Sequence, residues 1–227
     1  MKIRIAYKIL FLCSIGLIPA CKKMDDVHRQ FLDMGETIYV SKADSVLARG
    51  GNQRIEISWP LISDPKISSY KIFWNNGRDS IEGPIYKTSG NDTVRVLLDN
   101  MQEGIQYFDI YMFDKNGHSS IKSSVHGVVY GPIYQSSLLS RTYTSIKRTG
   151  NDVEIQWVPA SDDLVSVWVK YTDTNNQLVD HIIAGKENLS LLQNVLAEGE
   201  ITYRSGFLPD STALDTIYTS FVPINLK

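Results

Sequence analysis

The chain has 227 residues, 43% of them hydrophobic and 21% charged, with a formal charge of −2 and an isoelectric point near 6.1. This is the composition of a folded globular protein and not of a disordered stalk. No basic excess is available to neutralise phosphates, so nucleic acid is not an expected partner.

The first twenty residues differ from the rest. Lys2, Arg4 and Lys8 make a positive start, and Ile9-Leu10-Phe11-Leu12 through Leu17-Ile18 make a short apolar stretch. That stretch falls below the roughly 20 residues a spanning helix needs and has the length of a secretory signal core. Leu17-Ile18-Pro19-Ala20-Cys21 follows. It resembles the lipobox of bacterial lipoproteins, with Pro19 in place of the usual small or aliphatic residue. The resemblance implies cleavage before Cys21 and acylation of Cys21. Each buried CH₂ contributes about 0.8 kcal/mol, so several acyl chains would hold the protein to a membrane permanently. Cys13, the other cysteine, is lost with the signal. The exported chain then has no disulfide, no Cys-ligated zinc and no Cys nucleophile.

Behind the anchor, Asp25-Asp26 resembles the acidic signal that sends Bacteroidetes-type lipoproteins to the cell surface, and reads equally as part of a solvated tether. Val27, Phe31 and Met34 recur at near-helical spacing, and the two aspartates are suited to cap a short helix there. From about Tyr39 onward only short alternating runs appear, separated by Gly, Asn, Asp and Pro. That pattern belongs to an all-β sandwich or barrel.

The chain also repeats itself at a shift of about 98 residues. Ile55-Glu56-Ile57-Ser58-Trp59 matches Val153-Glu154-Ile155-Gln156-Trp157, and Tyr70, Ile72 and Trp74 match Val167, Val169 and Tyr171. Glu103-Gly104 precedes Phe108 as Glu198-Gly199 precedes Tyr203. In each strand alternation puts the named apolar residues on one face. A period near 100 residues is too long for a solenoid repeat and suits one immunoglobulin-like domain.

The Trp of the second strand, Leu98 to Gly104 leading into an alternating strand, and the turn Asp114-Lys115-Asn116-Gly117 resemble fibronectin type III. The resemblance implies two tandem β-sandwiches: residues 1–20 as signal peptide, 21–36 as lipidated tether, 37–131 and 132–227 as the two domains. The tyrosine corner of that family is expected to be missing, because alternation turns Tyr107 outward. The stretches Tyr39 to Asp44, Trp74 to Gly77, Tyr107 to Asp114 and Tyr130 to Leu139 also resemble a family of Bacteroidetes-type surface lipoproteins often encoded beside glycan-uptake systems. That likeness implies an outer-membrane location, with a polysaccharide or an uptake complex as partner, and no mechanism.

Catalytic chemistry finds little footing. His28, His118, His126 and His181 have no metal-ligand spacing, and no cofactor motif is present. Asp114-Lys115-Asn116-Gly117 reads as a β-turn before it reads as a calcium loop. A glycosidase needs two carboxyls roughly 5–9 Å apart; Glu56 and Glu154 are equivalent positions of separate domains and face outward. The expectation is a non-catalytic protein that binds a glycan or serves an uptake complex, the alternative a spacer or adhesin-like module. Trp59 and Trp157 are expected in the two cores. Trp168, Tyr107 and Tyr111 are expected outward, as ligand contacts. Five triads, around Ser45, Ser80, Thr93, Ser211 and Thr216, resemble the Asp-Ser/Thr-apolar acceptor of bacterial O-glycosylation.

Metabolic labelling with a palmitate analogue should mark the wild type and not Cys21→Ser. A labelled Cys21→Ser chain would refute the anchor, and an intact mass equal to the lipidated polypeptide alone would refute O-glycosylation.

Overall fold

The computed structural model describes residues 40–61, 64–88 and 92–225. The expected signal peptide, Cys21, Asp25-Asp26 and the short helix expected around Val27, Phe31 and Met34 lie outside the described residues.

Alternation builds the first sandwich. In β2 (Arg54–Pro60) Ile55, Ile57 and Trp59 are at most 1% exposed. β2 lies between β1 (Leu47–Gly51) and β5 (Thr93–Asp99) in one antiparallel sheet. The facing sheet has the order β4 (Asp79–Pro84), β3 (Ile67–Trp74), β6 (Gly104–Asp114), β7 (Ser123–Val129). Ile72, Phe108, Ile110 and Met112 fill the space between them, and Trp74 packs at its margin. Gly50 is where β1 closes on β7: a Cβ there would sit 1.7 Å from the Val128 carbonyl oxygen. Asn75, Asn76 and Gly77 take φ of 50°, 55° and 78° in the turn after β3, the left-handed region that a tight turn requires and that Asn and Gly tolerate.

The second sandwich follows the same plan. β9 (Asp152–Trp157) lies between β8 (Tyr143–Thr149) and β12 (Leu189–Leu192). It faces β11 (Leu178–Ala184), β10 (Leu164–Thr172) and β13 (Ile201–Phe207), and β13 pairs along its other edge with β14 (Ile217–Tyr218) and β15 (Val222–Ile224). Val153, Ile155, Trp157, Val167, Val169 and Tyr203 are at most 5% exposed. Trp59 and Trp157, each 1% exposed, hold the equivalent core positions that the repeat implies.

The joint between the sandwiches is built, not merely linked. The short helix α1 (Pro132–Ser137) begins with Pro at a position whose missing N–H costs nothing. Its own N-cap, Gly131, offers no side chain. Glu103 of the first sandwich caps it instead, accepting the backbone N–H of Ile133 at 2.8 Å and of Tyr134 at 2.6 Å. A carboxylate at a helix start satisfies orphan donors and the positive end of the helix dipole together.

Residues 208–216, between β13 and β14, then reach back to the first sandwich. Asp215 accepts from Arg54 Nε at 2.9 Å and from the Asn52 backbone N–H at 2.8 Å. The Leu214 N–H donates to the Gly50 carbonyl, and Arg49 Nε to the Thr212 carbonyl. The Tyr130 hydroxyl donates to Asp210 at 2.8 Å. Gly51 leaves room for this contact: a Cβ there would lie 2.2 Å from an Asp215 oxygen and would push that carboxylate out of its present position.

The Arg54 side chain holds the Asp215 carboxyl below its ordinary range. Asp210 is held below that range as well, first by the Thr212 hydroxyl and then by Tyr130. A carboxyl depressed on folding contributes stability above its unfolded pKa of about 3.9 and loses it as the pH falls through the lower folded value. The clasp is therefore complete at neutral pH and opens in acid. Arg54 is partly exposed, so solvent screening keeps the pair near 1 kcal/mol. Calorimetry should show one unfolding transition at neutral pH for the wild type. In Asp215→Ala it should show two, as it should for the wild type once the pH has fallen through the depressed folded value of Asp215, well below the ordinary carboxyl range. Two well-separated wild-type transitions at neutral pH would mean that the clasp does not couple the sandwiches.

Candidate functional site

The longest strand of the first sandwich carries the most unusual outward face. Along β6, Phe108, Ile110, Met112 and Asp114 are buried, and the residues between them, Tyr107, Asp109, Tyr111 and Phe113, face out. Register then assembles a surface from neighbouring strands. Tyr111 lies opposite Lys71 of β3, Asp109 opposite Phe73, Phe113 opposite Ser69, and Tyr107 opposite His126 of β7. Phe73 and Tyr111 meet edge to face at 5.9 Å and 87°. With Phe113, Asp109, Ser119 and Asn76 they line a groove of about 530 Å³. Tyr107 is 70% exposed, its ring 5.8 Å from that of His126.

The polar groups of this face are held in place. Asp109 accepts from the Ser124 hydroxyl at 2.6 Å and from Lys122 Nζ at 3.1 Å. Lys71 pairs with Glu82 at 3.2 Å. At the far end of the strand Asp114 is turned into its own loop, accepting from the backbone N–H of Asn116 and of His118 and bonding the His118 ring at 2.7 Å. That contact with His118 holds the Asp114 carboxyl below its ordinary range. Asp114-Lys115-Asn116-Gly117 is thus a side-chain-stabilised turn, with Gly117 at φ 86°, and not a cation loop.

Alternation also turns Trp168 away from the second core, as expected, but the ring is not free. It is half-buried, with Tyr218 and Phe221 against it at 6.2 and 5.9 Å. The Arg204 guanidinium sits 4.1 Å from its centre and 4.2 Å from that of Tyr218. Lys170 lies 4.9 Å away, and Asp180 accepts the indole N–H at 2.7 Å. Cations over aromatic faces stabilise by about 0.5–2 kcal/mol each, so this face is already occupied by its own side chains. Trp168 is thus outward but half-buried, and a ligand contact there would have to displace these neighbours. The structure places Tyr107 and Tyr111 on one face and Trp168 on the other sandwich.

Phe73 and Asp109 were not singled out from sequence, although parity offered both: Trp74 inward puts Phe73 outward, and Phe108 inward does the same for Asp109. Arg204 gave no signal, because a single arginine in an alternating strand reads as solvated. Glu56 is held between Arg49 at 3.4 Å and Arg95 at 3.3 Å, an ion-pair setting and not that of a paired acid and base. Among the described residues no three His, Cys, Asp or Glu side chains converge as a metal site. Ser45, Ser80, Thr93 and Ser211 are exposed and Thr216 is half-buried. Asp210 and Asp215, which begin the last two triads, are engaged in the clasp.

The order of strands, three facing four in the first half and three facing five in the second, defines a tandem of fibronectin type III-like sandwiches. The chain belongs to the DUF4998 family, described as a domain of unknown function, whose model matches residues 21–217. Among solved structures it is similar to a two-domain fibronectin type III segment of chicken tenascin, at 11% identity and a TM-score of 0.32. The match covers 82% of this chain and 99% of that one. It is also similar to the FN1–FN3 domains of chicken CNTN1, at 12% identity and a TM-score of 0.39, over 83% of this chain and 64% of that one. No curated protein matches the chain.

Because Trp168 holds its neighbours together and Tyr107 does not, the two should respond differently to truncation. Trp168→Ala should lose about 2 kcal/mol in urea unfolding. Tyr107→Ala should stay within about 0.5 kcal/mol of wild type. Equal, negligible losses would show that the Trp168 cluster contributes no stability.

Proposed function

We propose that this chain is a non-catalytic interaction module, anchored by lipid at the outer membrane and exposed at the cell surface, that binds a glycan on the outer face of its first sandwich. The observation that carries the reading is the groove between Phe73, Tyr111 and Phe113, in which apolar rings alternate with the carboxylate of Asp109 and the amide of Asn76. Aromatic rings give a sugar's C–H faces a rigid apolar contact. A carboxylate and an amide supply the acceptors and donors that its hydroxyls need. Large apolar side chains left outward on an ordered strand favour a partner that covers them. The membrane part of the reading is supported by the lipobox-like stretch ending at Cys21 and by a family match that begins at that residue.

The fold alone favours no ligand over another. An adhesin-like contact with protein has its own support in the exposed pair Ile105 and Val128 next to Tyr107, at one end of the same face. A glycan array probed with the detergent-solubilised mature chain separates the two. Glycan binding is expected for the wild type, with loss in Phe73→Ala and Tyr111→Ala at an unfolding midpoint close to wild type. An array without signal, or binding that survives both changes, would refute the groove as a glycan site.

A further inference from the structure

The outer face of the first sandwich is longer than its central groove. Three depressions follow β6. One of about 320 Å³ is lined by Gln106, Tyr107 and Asn76, and it shares Asn76 with the central groove. The groove in turn shares Phe113 with a third depression, of about 660 Å³, beside Lys71 and Glu82. Outward residues on one strand recur every second position, so Tyr107 to Phe113 spans roughly 20 Å at 3.4 Å per residue. Aromatic rings stand at both ends and in the middle of that line.

Two further features restrict the ligand. Lys71 and Lys122 are each matched by a carboxylate, Glu82 and Asp109, and Lys115 stands exposed at the rim of the third depression, beyond Phe113. Between Tyr107 and Phe113 the strip therefore presents neither an unmatched cation for an acidic ligand nor a carboxylate cluster for a basic one. Its central rings, Phe73 and Tyr111, are perpendicular, so they form a corner and not a plane. A corner admits a single chain with a ring edge inside it; the flat face of a crystalline fibre would touch only one of the two rings.

Resting on the glycan reading above, we infer that the site takes a soluble, uncharged, linear polysaccharide, laid along β6 from Tyr107 to Phe113 and several sugar units long. Asp109 sits midway. Its two oxygens accept one bond each from Ser124 and Lys122, and each keeps a further lone pair for a sugar hydroxyl. Tyr107 then acts as an outlying subsite that a short ligand seated in the central groove does not reach.

The test is titration calorimetry of the detergent-solubilised mature chain with gluco-, xylo- and manno-oligosaccharides of two and six units, alongside the same polymers in insoluble crystalline form. One six-unit series should bind about ten-fold more tightly than its two-unit member, the worth of one further aromatic contact of about 1.4 kcal/mol. Tyr107→Ala should remove that advantage and leave two-unit affinity unchanged, whereas Phe73→Ala should weaken both. Equal affinity for the two lengths, an unaffected Tyr107→Ala, or preference for the crystalline form would overturn the extended single-chain site while leaving a glycan groove in place. An array positive only for charged glycans would overturn the neutral assignment. Failure of every glycan on the array and in the series would overturn the underlying reading as well.

Discussion

Each sandwich is held by an indole ring wedged between two sheets with no covalent help. The chain's cysteines are Cys13 and Cys21, so the described strands hold none, and packing has to do what a disulfide does in many exported domains. Trp157 is met by Tyr143 and Tyr203 at 6.2 and 5.2 Å, and the Arg141 guanidinium lies 5.8 Å from its ring. That arginine is buried but provided for: its nitrogens donate to the carbonyls of Val158 and Glu187 and to Asn188. Tyr203 returns a hydrogen bond to the Arg141 carbonyl. Trp59 has a sparser setting, with Tyr70 edge-on at 5.4 Å. The two rings differ in one polar detail. Trp157 donates its N–H to Ser190, opposite Ile155 on β12. The matching place opposite Ile57 on β5 is Val96, and the Trp59 N–H has no acceptor among the described residues. A buried donor left unmatched costs about 1–3 kcal/mol, so the first core relies more on apolar contact than the second.

Because parity commits alternate residues of every strand to those cores, the joint had to be made from turns. The clasp uses the β1–β2 turn, the loop before β6 and the segment 208–216, and almost all of its bonds involve backbone groups or carboxylates. Such bonds are directional. They fix an angle between sandwiches where an apolar interface of the same size would let them slide. Glu103 shows the economy of the arrangement: one side chain ends a loop of the first sandwich and starts the helix that leads into the second.

The legible part of this fold was whatever depends on period two. The repeat at Ile55-Glu56-Ile57-Ser58-Trp59, the inward set Phe108, Ile110 and Met112, and the outward set Tyr107, Tyr111 and Phe113 all follow from alternation, which acts through the pleat of a single strand. What escaped depends on contacts between distant segments. Asp215 reads as a modification triad in sequence and turns out to bind Arg54, 161 positions away. Trp168 reads as an exposed ring, and only the pairing of β10 with β13 brings Arg204 over it. Phe73 reads as an unremarkable neighbour of Trp74 until the β3–β6 register sets it against Tyr111. In each case the missing information was register, which no single strand carries.

Register also explains why corresponding sheets of one repeated plan have outer faces of opposite character. In the second sandwich the arginine on β13 lies beside Trp168 of β10, and β14 and the following residues bring Tyr218 and Phe221 over the same guanidinium. Cation and rings satisfy one another there, so a ligand would have to displace contacts before making its own. In the first sandwich Lys71 lies 5.5 Å from the Phe73 ring while paired with Glu82, Lys122 is drawn to Asp109, and the rings of Tyr107 and Tyr111 each meet one aromatic neighbour with no cation over them among the described residues. A face with unspent apolar area gains free energy when covered, and a face already closed by its own side chains does not. The physical distinction between the two sheets is therefore one of availability rather than of aromatic content, and it is the reason the proposed recognition face lies on the first sandwich even though the second carries Trp168.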